Sequence, residues 1–214
     1  MRRTFDAELM ELGEQLTTMA NQVQNSIDVV TRSLTSGDAA AAQSVIEHTA
    51  SLDQMERDIE NQCLNLLLRQ QPVARDLRTI STALKMVTDL QRIGDQSANI
   101  AEISLLLSRQ NGQTRVPKDI QVMSQRAGLM VKQAIASYTD RDEGLAHAVI
   151  NLDDEVDDLF SAIKTELIER ITQDREGADQ AVDLIIIAKY LERIADHAVN
   201  IAQWAIFCVT GQLQ

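Results

Sequence analysis

Residues 88–102 read TDLQRIGDQSANIAE, and 101 positions later residues 189–203 read KYLERIADHAVNIAQ. Leu90 and Leu191, Arg92 and Arg193, Ile93 and Ile194, Asp95 and Asp196, Asn99 and Asn200, Ile100 and Ile201, and Ala101 and Ala202 are identical pairs. A shared apolar heptad would bring leucines and isoleucines into phase, but not an Arg, an Asp and an Asn. The stretch therefore belongs to a duplicated unit. Because that unit carries a carboxylate-bearing helix, its chemistry is expected twice.

Working outward, the rest of the chain reads as helix too. Only eight Gly, two Pro and 3% aromatic residues interrupt 214 residues, and Val, Ile and Thr do not gather into alternating runs. The composition indicates an all-α protein of long helices. Breakers at Ser36-Gly37-Asp38, Gln70-Gln71-Pro72, Asn111 to Pro117, Thr139 to Asp142 and Asp174 to Gly177 give six predicted helices: 4–36, 38–70, 73–110, 118–139, 142–173 and 178–210. Asp38 is placed to cap the second helix. Pro72 suits the start of the third.

The 101-residue offset also sets Asp53/Glu56 of the second helix on Asp154/Asp157 of the fifth. The first and fourth helices need an offset of 104, which sets Asp38 on Asp142, and a three-residue deletion reconciles the two. The third and sixth helices each carry two apolar stripes, the pattern of a helix packed against two neighbours. The expected architecture is two tandem, pseudo-symmetric three-helix bundles, residues 1–111 and 112–214.

A net charge of −12 with no basic patch excludes sequence-independent nucleic-acid binding and disfavours anionic lipid. The same charge favours cations and basic protein surfaces. The longest apolar runs, Leu184–Ala188 and Ala205–Val209, are too short to span a bilayer. The start of the chain lacks the apolar stretch of a secretion signal, so a cytoplasmic protein without direct membrane insertion is expected. Cys63 and Cys208 lie on apolar stripes and read as reduced core thiols.

The carboxylates carry the chemistry. Four-residue spacing puts Glu192, Asp196 and Asn200 on one helix face, and three-residue spacing does the same for Asp53/Glu56 and Asp154/Asp157. If the two acidic helices of a repeat are neighbours, Asp154, Asp157, Glu192 and Asp196 converge. Such a group repels itself unless a multivalent cation joins it, and all-oxygen ligands suit Mg, Mn or Fe. In the first repeat Asp53, Glu56 and Asp95 meet Gln91 in place of Glu192, and a neutral amide binds a cation more weakly. The bland alternative is that Asp153, Asp154, Glu155, Asp157 and Asp158 form a solvated acidic face. Arg92 and Arg193 read either as partners of Asp95 and Asp196 three residues on, or as contacts to an anion or protein. Asp76 and Arg78, in a segment with no good counterpart in the second half, read as local caps and pairs or as ligand contacts. His48, His147 and His197 share no metal-binding spacing, and His197 reads as a surface or interface residue. Trp204 and Phe207 read as core or interface.

The tandem ladders Gln91-Arg-Ile-Gly-Asp95 and Glu192-Arg-Ile-Ala-Asp196, the segment RQQPVARDLR at 69–78, the Asp-x-x-Glu/Asp pairs and the opening FDAEL resemble the PhoU family of phosphate-signalling proteins. The resemblance covers essentially the whole chain. It implies two three-helix bundles, a homodimer, and multinuclear metal sites with Asp95, Glu192 and Asp196 among the ligands. It further implies repression of the phosphate-starvation response when phosphate is plentiful. The implied partners are the ATPase of the phosphate ABC transporter and a sensor histidine kinase, which would hold the chain at the inner face of the membrane.

Two rival readings stand beside this one. A di-metal carboxylate oxidase would need Glu-x-x-His motifs on two helices, and no Glu here has a His three residues later. No nucleophile–base constellation or Gly-rich phosphate loop is evident either. The second rival is a metal-free helical adaptor.

Overall fold

The computed structural model describes residues 2–70, 72–109, 115–173 and 177–212. Its six helices are α1 (Arg2–Ser36), α2 (Ala39–Gln70), α3 (Ala74–Arg109), α4 (Lys118–Asp140), α5 (Glu143–Gln173) and α6 (Ala178–Thr210). Each begins and ends where the breakers place it. Asp38 Oδ1 accepts from the backbone N–H groups of Ala40 (3.0 Å) and Ala41 (3.1 Å), satisfying two donors that the first turn of α2 leaves open. Asp142 repeats the device on α5, accepting from Leu145 N–H at 2.9 Å. At the other end of α6, Gly211 takes a left-handed conformation (φ 75°), and its N–H bonds to Phe207 O at 2.8 Å. The junction expected at 111/112 lies outside the described residues.

Helices α1, α2 and α3 pack on one another, as do α4, α5 and α6. The two-neighbour expectation for α3 and α6 needs correction, because each meets three helices, and the third neighbour is its own counterpart in the other repeat. Thr79 Oγ1 lies 3.8 Å from Cys208 Sγ. The Lys85 ammonium sits over the Trp204 ring at 5.9 Å. Asp89 accepts from His197 Nδ1 at 2.9 Å and from Asn200 Nδ2 at 3.2 Å. Position falls on α6 as it rises on α3, so the two run antiparallel, and residues 101 apart draw level at Ile93 and Ile194, both fully buried. This third face escapes a count of apolar positions because Lys85, Asp89 and His197 help to build it.

α1 and α4 form a second bridge between the repeats, where Thr31 and Ser124 share a hydrogen bond. Among the described residues α2 touches only α1 and α3, and α5 only α4 and α6, so these two helices flank a central four. The buried apolar side chains form one cluster that runs through both repeats and includes Cys63 and Cys208, both free thiols. Burial pushes the Cys63 thiol up to about 12, which keeps it protonated and unreactive.

Close approach of α2 to α3 depends on Gly94. A Cβ there would stand 2.6 Å from Leu52 Cδ1, and Leu52 is only 2% exposed, so it has little room to move. Gly94→Val should therefore destabilise the protein by about 1–3 kcal/mol through overpacking. Asp38→Ala and Asp142→Ala should each cost about 1 kcal/mol through lost caps. Chemical denaturation of the purified variants checks all three.

Candidate functional site

The antiparallel hairpins α2–α3 and α5–α6 bring the expected carboxylates together twice, with different results. In the first repeat Gln91 sits between two acids. Its Nε2 donates to Asp53 Oδ1 at 3.1 Å and to Asp95 Oδ1 at 3.0 Å. The Arg92 guanidinium lies 3.5 Å from Asp95 Oδ2, the ion pair expected from their spacing. Glu56 is held above its ordinary range by burial, then by Glu60, Asp53 and Asp95, with Arg92 opposing. The neutral amide thus gives two neighbouring carboxylates a shared donor, and the guanidinium gives one of them a positive partner.

The second repeat has no such amide. Asp196 is raised by burial and by Glu192, with Lys189 opposing. Asp157 is raised by burial, Glu192 and Asp154. The strongest effect falls on Asp153, which the sequence places in the acidic run but not among the ligands. Burial, followed by Asp157, Asp196, Asp154 and Glu192, pushes its carboxyl from 3.8 up to about 6. Asp153 Oδ1 is buried with no hydrogen-bond partner among the described residues. Asp154 and Asp157 are both exposed and Asp153 is half-buried, yet Asp153 and Asp157, one turn apart, are the two on α5 whose carboxyls are raised by Glu192. The repeat itself hid Asp153, because its counterpart is the core residue Leu52. Its four-residue spacing from Asp157 was the available signal.

Lys189 is the other group that the carboxylate pattern missed. Its ammonium pairs with Glu192 and lies 5.3 Å from the centre of the Phe160 ring. Glu192 itself is 16% exposed, as its place on an apolar stripe implies. Among the described residues no three His, Cys, Asp or Glu side chains stand as a ready-made metal shell. The donor set nevertheless suits a hard cation: four carboxylates, each either raised or raising its neighbours, and one orphaned buried oxygen.

Arg193 does not pair with Asp196. Its guanidinium lies 5.9 Å from the centre of the Tyr190 ring instead. Arg78 does not pair locally either. Its guanidinium packs against Gly211 at the end of α6, where a Cβ would come within 2.9 Å of Nη1, and Nε has no hydrogen-bond partner among the described residues. Asp76 lines a cleft of about 370 Å³ with Leu9, Thr79, Tyr138, Arg141 and Cys208, where both repeats meet. The segment unique to the first repeat thus clasps the end of the second.

The Asp153 shift has a definite sign. Between pH 4 and 6 the folded protein keeps a proton that the unfolded chain has released, so stability falls as pH rises through this window and stays lower above it. Asp153→Asn should remove that loss. In chelator its melting temperature should exceed that of the wild type at about pH 7.5, with no gain at about pH 4. Thermal unfolding across this range is the check.

Residues 16–104 and 120–205 each match the family model of the PhoU domain. The phosphate-specific transport system accessory protein PhoU homolog of Clostridium acetobutylicum is 33% identical over 214 residues, covering 99% of this chain and 96% of that one. The crystal structure of PhoU from Pseudomonas aeruginosa superposes with a TM-score of 0.94 at 32% identity, covering 97% of this chain and 100% of that chain. The crystal structure of the phosphate transport system regulatory protein PhoU from Streptococcus pneumoniae gives a TM-score of 0.91 at 26% identity, covering 98% and 99%. With a PhoU domain in each repeat and relatives alike in sequence and structure along nearly their whole length, this chain belongs to the PhoU family.

Proposed function

We propose that the chain is a non-enzymatic regulator of phosphate uptake and signalling that represses the starvation response while phosphate is plentiful. The observation that carries this reading is the match over both repeats to proteins named as accessory to, or regulatory of, phosphate-specific transport. In physical terms, among the described residues no helix is long and apolar enough to cross a membrane. The acidic surface suits basic protein partners. On this reading the chain acts as a cytoplasmic homodimer through contact with the phosphate transporter's ATPase, a sensor histidine kinase or both, at the inner face of the membrane.

In this reading Asp153, Asp157, Glu192 and Asp196 hold a Mg, Mn or Fe ion, with Asp154 at the rim. Asp53, Glu56 and Asp95 hold a second more weakly, because Gln91 already bridges two of them. A bound ion would supply the positive charge that lets these carboxylates stay ionised side by side. The residues' own part is to fix the oxygens: α5 and α6 are held together by the apolar core beneath, and Lys189 holds Glu192 until displaced. The same Lys189–Glu192 pair favours the second reading, a metal-free adaptor in which an ammonium serves in place of the ion.

Elemental analysis of protein purified without chelator or affinity-tag metal separates the two. If the ion is held, Glu192→Gln combined with Asp196→Asn abolishes the tighter class of Mn or Fe binding in calorimetry, and Gln91→Glu strengthens the weaker class. Removing the ion should then lower the melting temperature, since a ligand bound only by the native state stabilises it by mass action. Unchanged binding in the double variant would leave the acidic cluster a solvated face.

Deletion of the gene should derepress phosphate-uptake genes in high phosphate, measured as transcript levels. Normal repression in the deletion strain would overturn the regulatory reading.

A further inference from the structure

The seam between α1 and α2 carries two clefts. The first, about 370 Å³, is lined by Glu8, Glu11, Gln15, Asp58, Gln62 and Arg69 among others. The second, about 390 Å³, lies further along the same two helices and is lined by Gln22, Ser26, Ser44 and His48. From Glu8 to Ser26 the seam runs about 27 Å at 1.5 Å per residue. The two clefts stand in line along one helix–helix seam.

Two observations in the first cleft indicate what it takes. Three carboxylates face one cation, Arg69. Gln15 Oε1 and Gln62 Oε1 are buried with no hydrogen-bond partner among the described residues. The Gln62 amide is oriented by its other end, since Nε2 donates to Glu8 O at 3.3 Å, which leaves the oxygen as the unmatched group. The cleft thus carries an excess of negative charge and two buried acceptors that its own donors, on Arg69, Asn61 and Asn65, leave unmatched. A guanidinium brings five N–H donors, a positive charge and no acceptor.

The duplication supplies a third observation. At the equivalent positions of the second repeat, Glu11 becomes Arg115, Asp58 becomes Leu159 and Gln62 becomes Ile163. There Arg170 closes the gap by donating to Arg115 O at 2.6 Å. Gln15 becomes Asp119 and Asn65 becomes Glu166, the latter paired with Arg170 at 2.9 Å, so the second repeat keeps acids here but not the Glu11–Asp58 pair, which belongs to the first repeat.

We propose that the α1–α2 seam docks an arginine-bearing helical segment of a protein partner, with a guanidinium entering the cleft between Glu11 and Asp58. Charge complementarity selects the partner. The length of the seam selects a helix of about 18 residues over a small polyamine. The proposal rests on the reading that the chain works through protein contact and adds where that contact is made.

The test uses the full-length protein, the purified transporter ATPase, the purified cytoplasmic part of the sensor kinase, and fluorescent peptides of about 18 residues tiled across both. The groove variant is Glu11→Lys with Asp58→Lys. The control, Glu102→Lys with Glu169→Lys, changes two exposed acids elsewhere and gives the same net charge. An arginine-bearing peptide should bind the wild type, and its Kd should rise about tenfold or more in the groove variant and less than about twofold in the control. Equal weakening in both variants, or unchanged binding in the groove variant, would overturn the proposal. So would binding of spermidine with no peptide bound. Intact ATPase or kinase that binds wild type and groove variant equally removes the seam but keeps the regulatory reading. No binding of either intact partner to wild type removes both.

Discussion

The antiparallel packing of α3 against α6 is the contact on which the rest of the molecule depends. Each helix has to serve three neighbours at once, so its whole circumference is committed. One face packs within its own bundle, a second meets its counterpart across the pseudo-dyad, and a third presents an acid ladder toward α2 or α5. This explains why polar residues recur in register across the duplication. Asp95 and Asp196 cannot drift onto another face without bringing a charge into a core that is continuous through both repeats.

Within that shared frame the two acidic clusters have taken different routes to the same electrostatic problem. The first is relieved from within, by the Gln91 amide and the Arg92 guanidinium. The second keeps Glu192, has Asp153 where the first has Leu52, and is met by Lys189. A core leucine exchanged for a partly buried acid is a change in the wrong direction for stability. It persists most readily where a cationic ligand offsets it.

Helix number and limits were legible because they rest on local rules: breakers, caps and apolar period act within a few residues of where they stand. The carboxylate sets were legible where the duplication preserved them, as at Asp53 and Asp95. Asp153 was not, because its partner position in the first repeat is apolar, and comparison between repeats finds only what both halves kept. Arg193 and Arg78 were misplaced for a different reason. Their partners, the Tyr190 ring and the end of α6, compete with the ion pairs that spacing alone suggests. The third neighbour of α3 escaped notice because a hydrogen-bonded polar seam leaves no hydrophobic period.

The pairing of Asp89 with His197 joins residues more than a hundred positions apart, and that distance has a consequence during synthesis. Ribosomes add about 5–20 residues per second, so α3 leaves the exit tunnel some 5–20 seconds before α6 can reach it. Throughout that interval the first three helices stand with the Ile93 face open to solvent, carrying Lys85 and Asp89 beside it. A nascent chain whose sticky face is flanked by ionic groups is less prone to join its neighbours on the polysome than one with a bare apolar stripe. The polar seam therefore guards the half-made protein as well as aligning the finished one.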